Sequence, residues 1–214
     1  PAVDLSNPER GEMAQTLVPY VKAMGFTRRD TSVAFLMDCL VKGEPPIQAA
    51  ALEALAHQKL PPRDLLAGAA PLLSSKLLRA QINACLAICI AEPERVAQAM
   101  EKLLFSRHAV HRLEAAFILG YVPGEEAAAT LHRVAVADSS HPVRVQAIKS
   151  LVRQPPLLAA GRLLAVVDAG DPATAGLAAR AIGELGVNGS SEVVTELCKR
   201  EAGAPPEIRG ALLR

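Results

Sequence analysis

The sequence predicts an all-α protein in which antiparallel helix pairs stack into a right-handed solenoid. Two observations lead to this prediction. The chain of 214 residues is 50% hydrophobic but only 3% aromatic and has no Trp, so Ala, Leu, Val and Ile must build its core. Ala and Leu lose little free energy on entering a helix. A ten-residue apolar pattern also recurs about every 32 residues, which is typical of helical-repeat architectures.

The recurring pattern marks one helix of each predicted pair. Its copies begin at Ile47, Leu78, His111, Val143, Thr174 and Ile208. Eight positions into each complete copy stands an aliphatic residue, namely Leu55, Leu86, Leu119, Leu151 or Ile182. Four positions in stands a mostly small residue, namely Ala51, Ile82, Ala115, Ala147 or Ala178. Residues four apart share a helix face, so each copy predicts a buried stripe.

The second helix of each pair is predicted between these copies, at about 63–70, 93–105, 125–137, 157–168 and 192–200. Pro45, Pro93, Pro142 and Pro172 fit a first helical turn, where no N–H partner is needed, and we expect Asp171 and His141 to cap two of these helices. Glycines are expected at helix ends or points of close packing, namely Gly120, Gly183 and Gly186. Pro71 makes the pair between residues 63 and 78 irregular.

Two regions are predicted along the chain. Residues 1–44 carry two apolar stripes without the full pattern, and we expect them to form an atypical N-terminal capping pair. Residues 45–214 are predicted to be the repeats proper. The copy at Ile208 stops at Arg214 before its aliphatic position, so we expect the last repeat to be truncated and the parent chain to be longer.

Two segments carry a family resemblance. Residues 171–186 read Asp-Pro-Ala-Thr-Ala-Gly-Leu-Ala-Ala-Arg-Ala-Ile-Gly-Glu-Leu-Gly, and residues 141–151 read His-Pro-Val-Arg-Val-Gln-Ala-Ile-Lys-Ser-Leu. Both resemble the HEAT and HEAT-like family of helical repeats, which includes the bilin-lyase type, and the resemblance covers residues 45–214. In that family Pro opens the first helix and Val-Arg follows. The resemblance implies stacked helix pairs whose second helices line a concave face, but it does not imply one function.

Charge and hydropathy set further expectations. The 23 basic and 22 acidic side chains give a formal charge of +1, which provides no long-range field for nucleic acid or an anionic membrane. The apolar stretch 82–91 is shorter than the roughly 20 residues of a membrane span. No secretory signal is visible before residue 20, so we expect a cytoplasmic location, and the Ala and Arg richness suggests a bacterial source. The cysteines are expected to be buried hydrophobes, namely Cys39, Cys85, Cys89 and Cys198.

Arginine follows the first residue of four copies. A cation in the first helical turn opposes the helix dipole, so each arginine needs a compensating acid. Glu94, Asp138, Asp168 and Asp171 in the connections are the candidates. The pattern favours a structural ladder of inter-repeat ion pairs, with binding of an external anion as the alternative. The ladder residues are Arg79, Arg112, Arg144 and Arg209.

Metal and enzyme sites are weighed against simpler explanations. His108, His111, His132 and His141 admit a metal site, but capping explains His108 and His141, and we expect no metal and no cofactor. HEAT-like di-iron hydroxylases use His-Glu pairs, and the sequence has none. HEAT-like DNA glycosylases use aromatic residues in a basic groove, which fits poorly with a chain that lacks Trp. A bilin-lyase-type enzyme remains an alternative.

The predicted function is therefore that of a non-enzymatic scaffold or adaptor. Mixed charges on the second helices suit a protein partner, or another domain of the parent chain, better than a polyanion. A nucleic-acid binder that uses the arginine ladder is the alternative from another class. The residues expected to bind the partner are Arg95, Gln98, Lys102, His132, Arg162, Glu196 and Lys199.

Overall fold

The computed structural model describes residues 8–27, 30–58 and 60–188, and every regular element in these ranges is a helix. The predicted all-α class is confirmed. The α-helices are α1 (Pro8–Met24), α2 (Asp30–Lys42), α3 (Pro45–Ala56), α4 (Pro62–Ala69), α5 (Leu78–Ile88), α6 (Pro93–Leu104), α7 (Ala109–Leu119), α8 (Glu125–Ala137), α9 (His141–Leu151), α10 (Pro156–Ala169) and α11 (Pro172–Asn188). Within the described residues, none of them is long and apolar enough to cross a membrane.

The chain divides into two compact units, Pro1–Glu92 and Pro93–Arg214. In the first unit α3 packs on both α1 and α2, and α5 packs on α3. Helix α4 ends at Ala69 and continues as a 3-10 helix, Ala70–Ser74, because Pro71 has no N–H for the α-helical ladder. The irregularity predicted for this pair is confirmed.

In the second unit the helices form two layers. The first helices of the pairs, α7, α9 and α11, lie side by side in one layer. Helices α8 and α10 pack on each other in the other layer, and α6 packs on α7. Packing of first helix on first helix and second on second is the arrangement by which helical repeats bury a continuous core. The sixth copy of the pattern and the helix predicted near 192–200 lie outside the described residues.

The structure corrects the register of one repeat. Helices α3, α7, α9 and α11 each begin two residues before their predicted copy, whereas α5 begins at Leu78, where its copy was placed. The equivalent copy therefore starts at Ala80, two residues later than predicted. The small position of α5 is then Ala84 rather than Ile82, and the aliphatic position is Ile88 rather than Leu86. In this register the small position is Ala in all five helices and fully buried, namely Ala51, Ala84, Ala115, Ala147 and Ala178.

Helix starts follow the proline prediction. Pro45, Pro93 and Pro172 are the first residues of α3, α6 and α11, and Pro142 is the second residue of α9. Asp171 caps α11, since its Oδ1 accepts hydrogen bonds from the backbone N–H groups of Ala173 and Thr174, each at 3.1 Å.

Two predicted histidine caps are wrong. His141 is the first residue inside α9, and Ser140 occupies the N-cap, because the helix begins one residue before its proline. His108 is the N-cap residue of α7, but its side chain makes no capping hydrogen bond. The ring of His108 lies against that of His111 instead, with 5.1 Å between centroids.

Close packing explains Gly120, which is the C-cap of α7. A Cβ at this position would lie 2.8 Å from Cβ of Ser150 on α9, so no larger residue fits without separating the two helices. The prediction for Gly120 is confirmed. Gly183 and Gly186 lie within α11 and not at its end.

In each unit, a glutamine that follows one first helix donates hydrogen bonds to backbone carbonyl groups at the end of the previous first helix. Gln154, just after α9, donates from Nε2 to the carbonyl oxygens of Leu119 at 3.2 Å and Val122 at 3.0 Å, at the end of α7. Gln58, just after α3, donates in the same way to the carbonyl oxygen of Gly25 at 2.6 Å, after α1. These bonds satisfy carbonyl groups that a helix end leaves without intrahelical partners.

Candidate functional site

A ladder of polar side chains occupies the fourth position of the first helices. The backbone N–H of the fourth residue donates to the N-cap carbonyl in each of the five helices, which makes these positions structurally equivalent. The residues are Gln48, Gln81, Arg112, Arg144 and Ala175. Arg79, which was predicted to belong to this ladder, is the second residue of α5, because of the register correction in that repeat. Arg209 lies outside the described residues.

The four polar members of the ladder all bind a backbone carbonyl that precedes their own helix. Gln48 Nε2 lies 2.9 Å from the Leu40 carbonyl oxygen, and Gln81 Nε2 lies 2.7 Å from that of Leu73. Arg112 and Arg144 use Nη1, at 2.9 Å from the carbonyl oxygens of Ser106 and Asp138. Each side chain therefore ties the start of a first helix to the end of the helix before it.

The two arginines also bind an acid in the connection that leads to the next pair. Arg112 binds Asp138 through two bonds, Nε–Oδ2 at 2.8 Å and Nη2–Oδ1 at 3.0 Å, with side chains 13% and 8% exposed. Arg144 Nη2 lies 3.3 Å from Oδ2 of Asp171, and its Nε donates to Oγ1 of Thr174 at 3.2 Å. The structure thus places Arg112 and Arg144 against two of the predicted acids. An external anion would have to displace these bonds.

Hydrogen bonds and nearby positive charge lower the pKa values of both acids. Burial raises the pKa of Asp138, but the hydrogen bonds from Arg112 and from the Ser140 N–H outweigh burial and hold it below its ordinary value. The hydroxyl and N–H of Thr174 lower the pKa of Asp171, with a further contribution from the charge of Arg144. Both carboxylates are therefore ionised near neutral pH.

Arg79 takes part in a different, more exposed cluster. Its Nη2 lies 2.7 Å from Oε2 of Glu53 on α3, and Nζ of Lys22 on α1 lies 3.0 Å from the same oxygen. The hydrogen bond from Arg79 is the largest of the effects that lower the pKa of Glu53. This carboxylate links three helices of the first unit.

The residues predicted to bind a partner are spread over three helices. Arg95, Gln98 and Lys102 are exposed on α6. His132 on α8 is half-buried, and its Nε2 is buried without a hydrogen bond to any described group. Arg162 on α10 is half-buried and pairs with Glu125 of α8. Glu196 and Lys199 lie outside the described residues.

A groove between α6 and α8 is a concave surface in the described part of the second unit. It has a volume of about 450 Å³, which is within the range of ligand-binding clefts. Glu101 on α6 joins the two helices by accepting hydrogen bonds from Thr130 Oγ1 at 3.3 Å and Arg133 Nη2 at 3.4 Å. The groove is lined by Glu101, Leu104, Phe105, Thr130, Arg133, Val134, Ala137 and Asp138.

Sequence reasoning missed this groove, although two predicted residues adjoin it. Lys102 follows Glu101 in α6, and His132 precedes Arg133 in α8. Phe105 lies at the end of α6 and is 89% exposed. The signal available in the sequence was the apolar surface of Leu104, Phe105 and Val134, which extends beyond the stripe that faces the core.

Two further grooves are present. One, of about 400 Å³, lies in the first unit and is lined mainly by leucines of α3, α4 and α5. The other, of about 450 Å³, lies between α9 and α11 and is flanked by Lys149, Arg180 and Glu184. Neither is lined by a Phe or Tyr side chain.

The described histidine and cysteine side chains do not cluster into a metal site. In the part of the chain that the structure describes, no three His, Cys, Asp or Glu side chains cluster closely enough to hold a metal ion. His111 Nδ1 is 3.1 Å from Oγ of Ser106. Cys85 and Cys89 are buried, and burial raises the pKa of Cys85 to about 12, so this thiol is not a ready nucleophile or metal ligand.

Comparisons with known proteins add little to this geometry. No protein-family model matches the chain, and no curated protein matches it. Among solved structures, that of human deoxyhypusine hydroxylase in complex with glycerol is similar, with a TM-score of 0.42 and 18% identity. The match covers 93% of this chain and 77% of that one. The fold class thus rests on the helix packing described above, which fits a helical-repeat protein.

Proposed function

We propose that the chain is a non-enzymatic module that binds a segment of another protein, or of its own parent chain, in the groove between α6 and α8. The observation that carries this proposal is the 89% exposure of Phe105 at a groove that Leu104, Val134 and Ala137 also line. Burying a Phe side chain contributes about 1.5–3 kcal/mol. An aromatic residue left in water beside a cleft is thus a natural anchor for a partner.

The composition of the groove supports a protein partner. Leu104, Val134 and Ala137 supply an apolar floor, while Glu101 and Arg133 supply a polar rim. Protein interfaces commonly combine a desolvated apolar centre with a polar edge. The ladder arginines are engaged in bonds within the repeats, which favours a structural role for them and weighs against a polyanion as the partner.

A random peptide library displayed on phage tests the proposal. Peptides selected on the whole chain are expected to lose at least about tenfold in affinity for Phe105→Ala, since an interface anchor contributes 1.4 kcal/mol or more. Leu157→Ala is the matched control, because Leu157 is a 58% exposed apolar residue of the same unit that does not line the groove. If the selected peptides bind Phe105→Ala as tightly as the unaltered chain, or if no peptide is selected, the proposed site is wrong.

A further inference from the structure

The acids that line the groove between α6 and α8 are neutralised from within. Glu101 accepts hydrogen bonds from both Thr130 and Arg133. Asp138 is bound by Arg112 through both carboxylate oxygens and also accepts the Ser140 N–H at 2.8 Å. Its side chain is only 8% exposed. Asp138 is therefore held within the fold, whereas Glu101 and Arg133 offset each other's charge at the surface.

The cations around the groove are exposed. The Arg133 side chain is 69% exposed, and its ion pair with Glu101 is long, at 3.4 Å. An exposed pair of this kind contributes little to stability. Both hydrogen bonds that Arg133 makes in the described chain use Nη2, so Nε and Nη1 remain able to donate. Lys102 and Arg107, which flank the segment 103–106, are exposed as well.

The groove extends over about two helical turns. On α8 its lining residues run from Thr130 to Ala137, a rise of about 10 Å. Leu104, Phe105 and Val134 supply large apolar side chains to this lining. A helix that lays one apolar face into such a groove presents residues at i, i+3, i+4 and i+7.

Building on the proposed function, we propose that the segment bound in this groove is an acidic amphipathic helix. Its apolar side chains contact Phe105, Leu104 and Val134. Its Asp or Glu side chains pair with Arg133, Lys102 and Arg107, whose exposure leaves them able to form charge-assisted hydrogen bonds. Opposite charge on the rim of an interface selects the partner and speeds association.

Three fluorescently labelled peptides of about 16 residues test the charge preference by anisotropy with the whole chain. All three carry Leu at i, i+3, i+4 and i+7, and they differ only in having Glu, Gln or Lys at the polar positions. We expect the Glu peptide to bind at least about tenfold more tightly than the Gln peptide and the Lys peptide to bind most weakly. Arg133→Glu should abolish or invert this order. Lys149→Glu, the same charge change on α9, should preserve it.

The outcomes separate this inference from the proposed function. If the Gln or Lys peptide binds as tightly as the Glu peptide and Phe105→Ala weakens binding, the proposed acidic preference is wrong. The proposal that the groove binds a protein segment is then still supported. If the Arg133→Glu variant still prefers the Glu peptide, the inference is also wrong, because residues other than Arg133 then recognise the charge. If no peptide binds in a manner that depends on Phe105, both proposals fail.

Discussion

Arg112 and Arg144 each bind two groups at once, a carbonyl of the connection before their own helix and a carboxylate of the connection that leads to the next pair. The planar guanidinium allows this, since its donors point in fixed and separate directions. Gln48 and Gln81 at the same position reach only the carbonyl. The sequence placed Arg112 and Arg144 in the ladder correctly but also included Arg79, and the shared carbonyl contact becomes visible only when the helix starts are known.

The pairing of Arg112 with Asp138 gives a prediction for stability. Because this carboxylate has a lowered pKa in the folded chain, its ion pair stabilises the fold above its unfolded pKa of about 4, and this stabilisation is lost as the pH falls through the folded pKa. Asp138→Asn should lower the free energy of unfolding by about 2 kcal/mol at pH 7. The difference from the unaltered chain should shrink below about pH 4.

Urea unfolding followed by tyrosine fluorescence measures this effect. The chain has two tyrosines, so in a Tyr20→Phe background the signal comes from Tyr121, which lies in the same unit as Asp138. Glu101→Gln, at an acid of the same unit whose ion pair with Arg133 is exposed, is the control and should change the free energy by less than about 0.5 kcal/mol. A loss at Asp138 that is independent of pH would contradict the ion-pair explanation.

At the scale of the element, spacing identified the helices but not always the face that each one buries. In α5 the series Leu78, Ile82, Leu86 and the series Ala80, Ala84, Ile88 both have a spacing of four. Both therefore satisfy a helical pattern, and only packing against α3 and α4 decides between them. The more hydrophobic series was chosen from the sequence. The structure fully buries Ala80, Ala84 and Ile88, whereas the chosen series is buried at Ile82 but 38% exposed at Leu86.

The register of α5 is tested by two truncations. Ile88→Ala should lower the free energy of unfolding by about 2–5 kcal/mol, since it leaves a cavity in the core. Leu86→Ala should cost less than about 1 kcal/mol, because much of this side chain already contacts water. Urea unfolding monitored by Tyr20 in a Tyr121→Phe background reports on the first unit. If Leu86→Ala lowers the free energy of unfolding more than Ile88→Ala does, the register expected from the sequence is the correct one.

In the molecule as a whole, the features that build the fold recur along the sequence, whereas the groove does not. Buried alanines and the polar ladder recur along the chain, and recurrence is what sequence analysis detects. The groove depends on how residues near the end of α6 meet residues of α8, about 30 positions later in the chain. No local spacing in the sequence predicts this contact between α6 and α8. The fold class could therefore be predicted, whereas the groove could not. The protein partner and the cytoplasmic location remain predictions.

The central claim, that the groove between α6 and α8 holds a protein segment, is tested most directly by photo-crosslinking in the native cells. Benzoylphenylalanine in place of Phe105 keeps an aromatic side chain at the anchor position, and the same replacement at Leu157 is the control. We expect a discrete cross-linked protein from position 105 that is absent from position 157 and is reduced by Arg133→Glu. The same cross-links from both positions, or none from position 105, would contradict it.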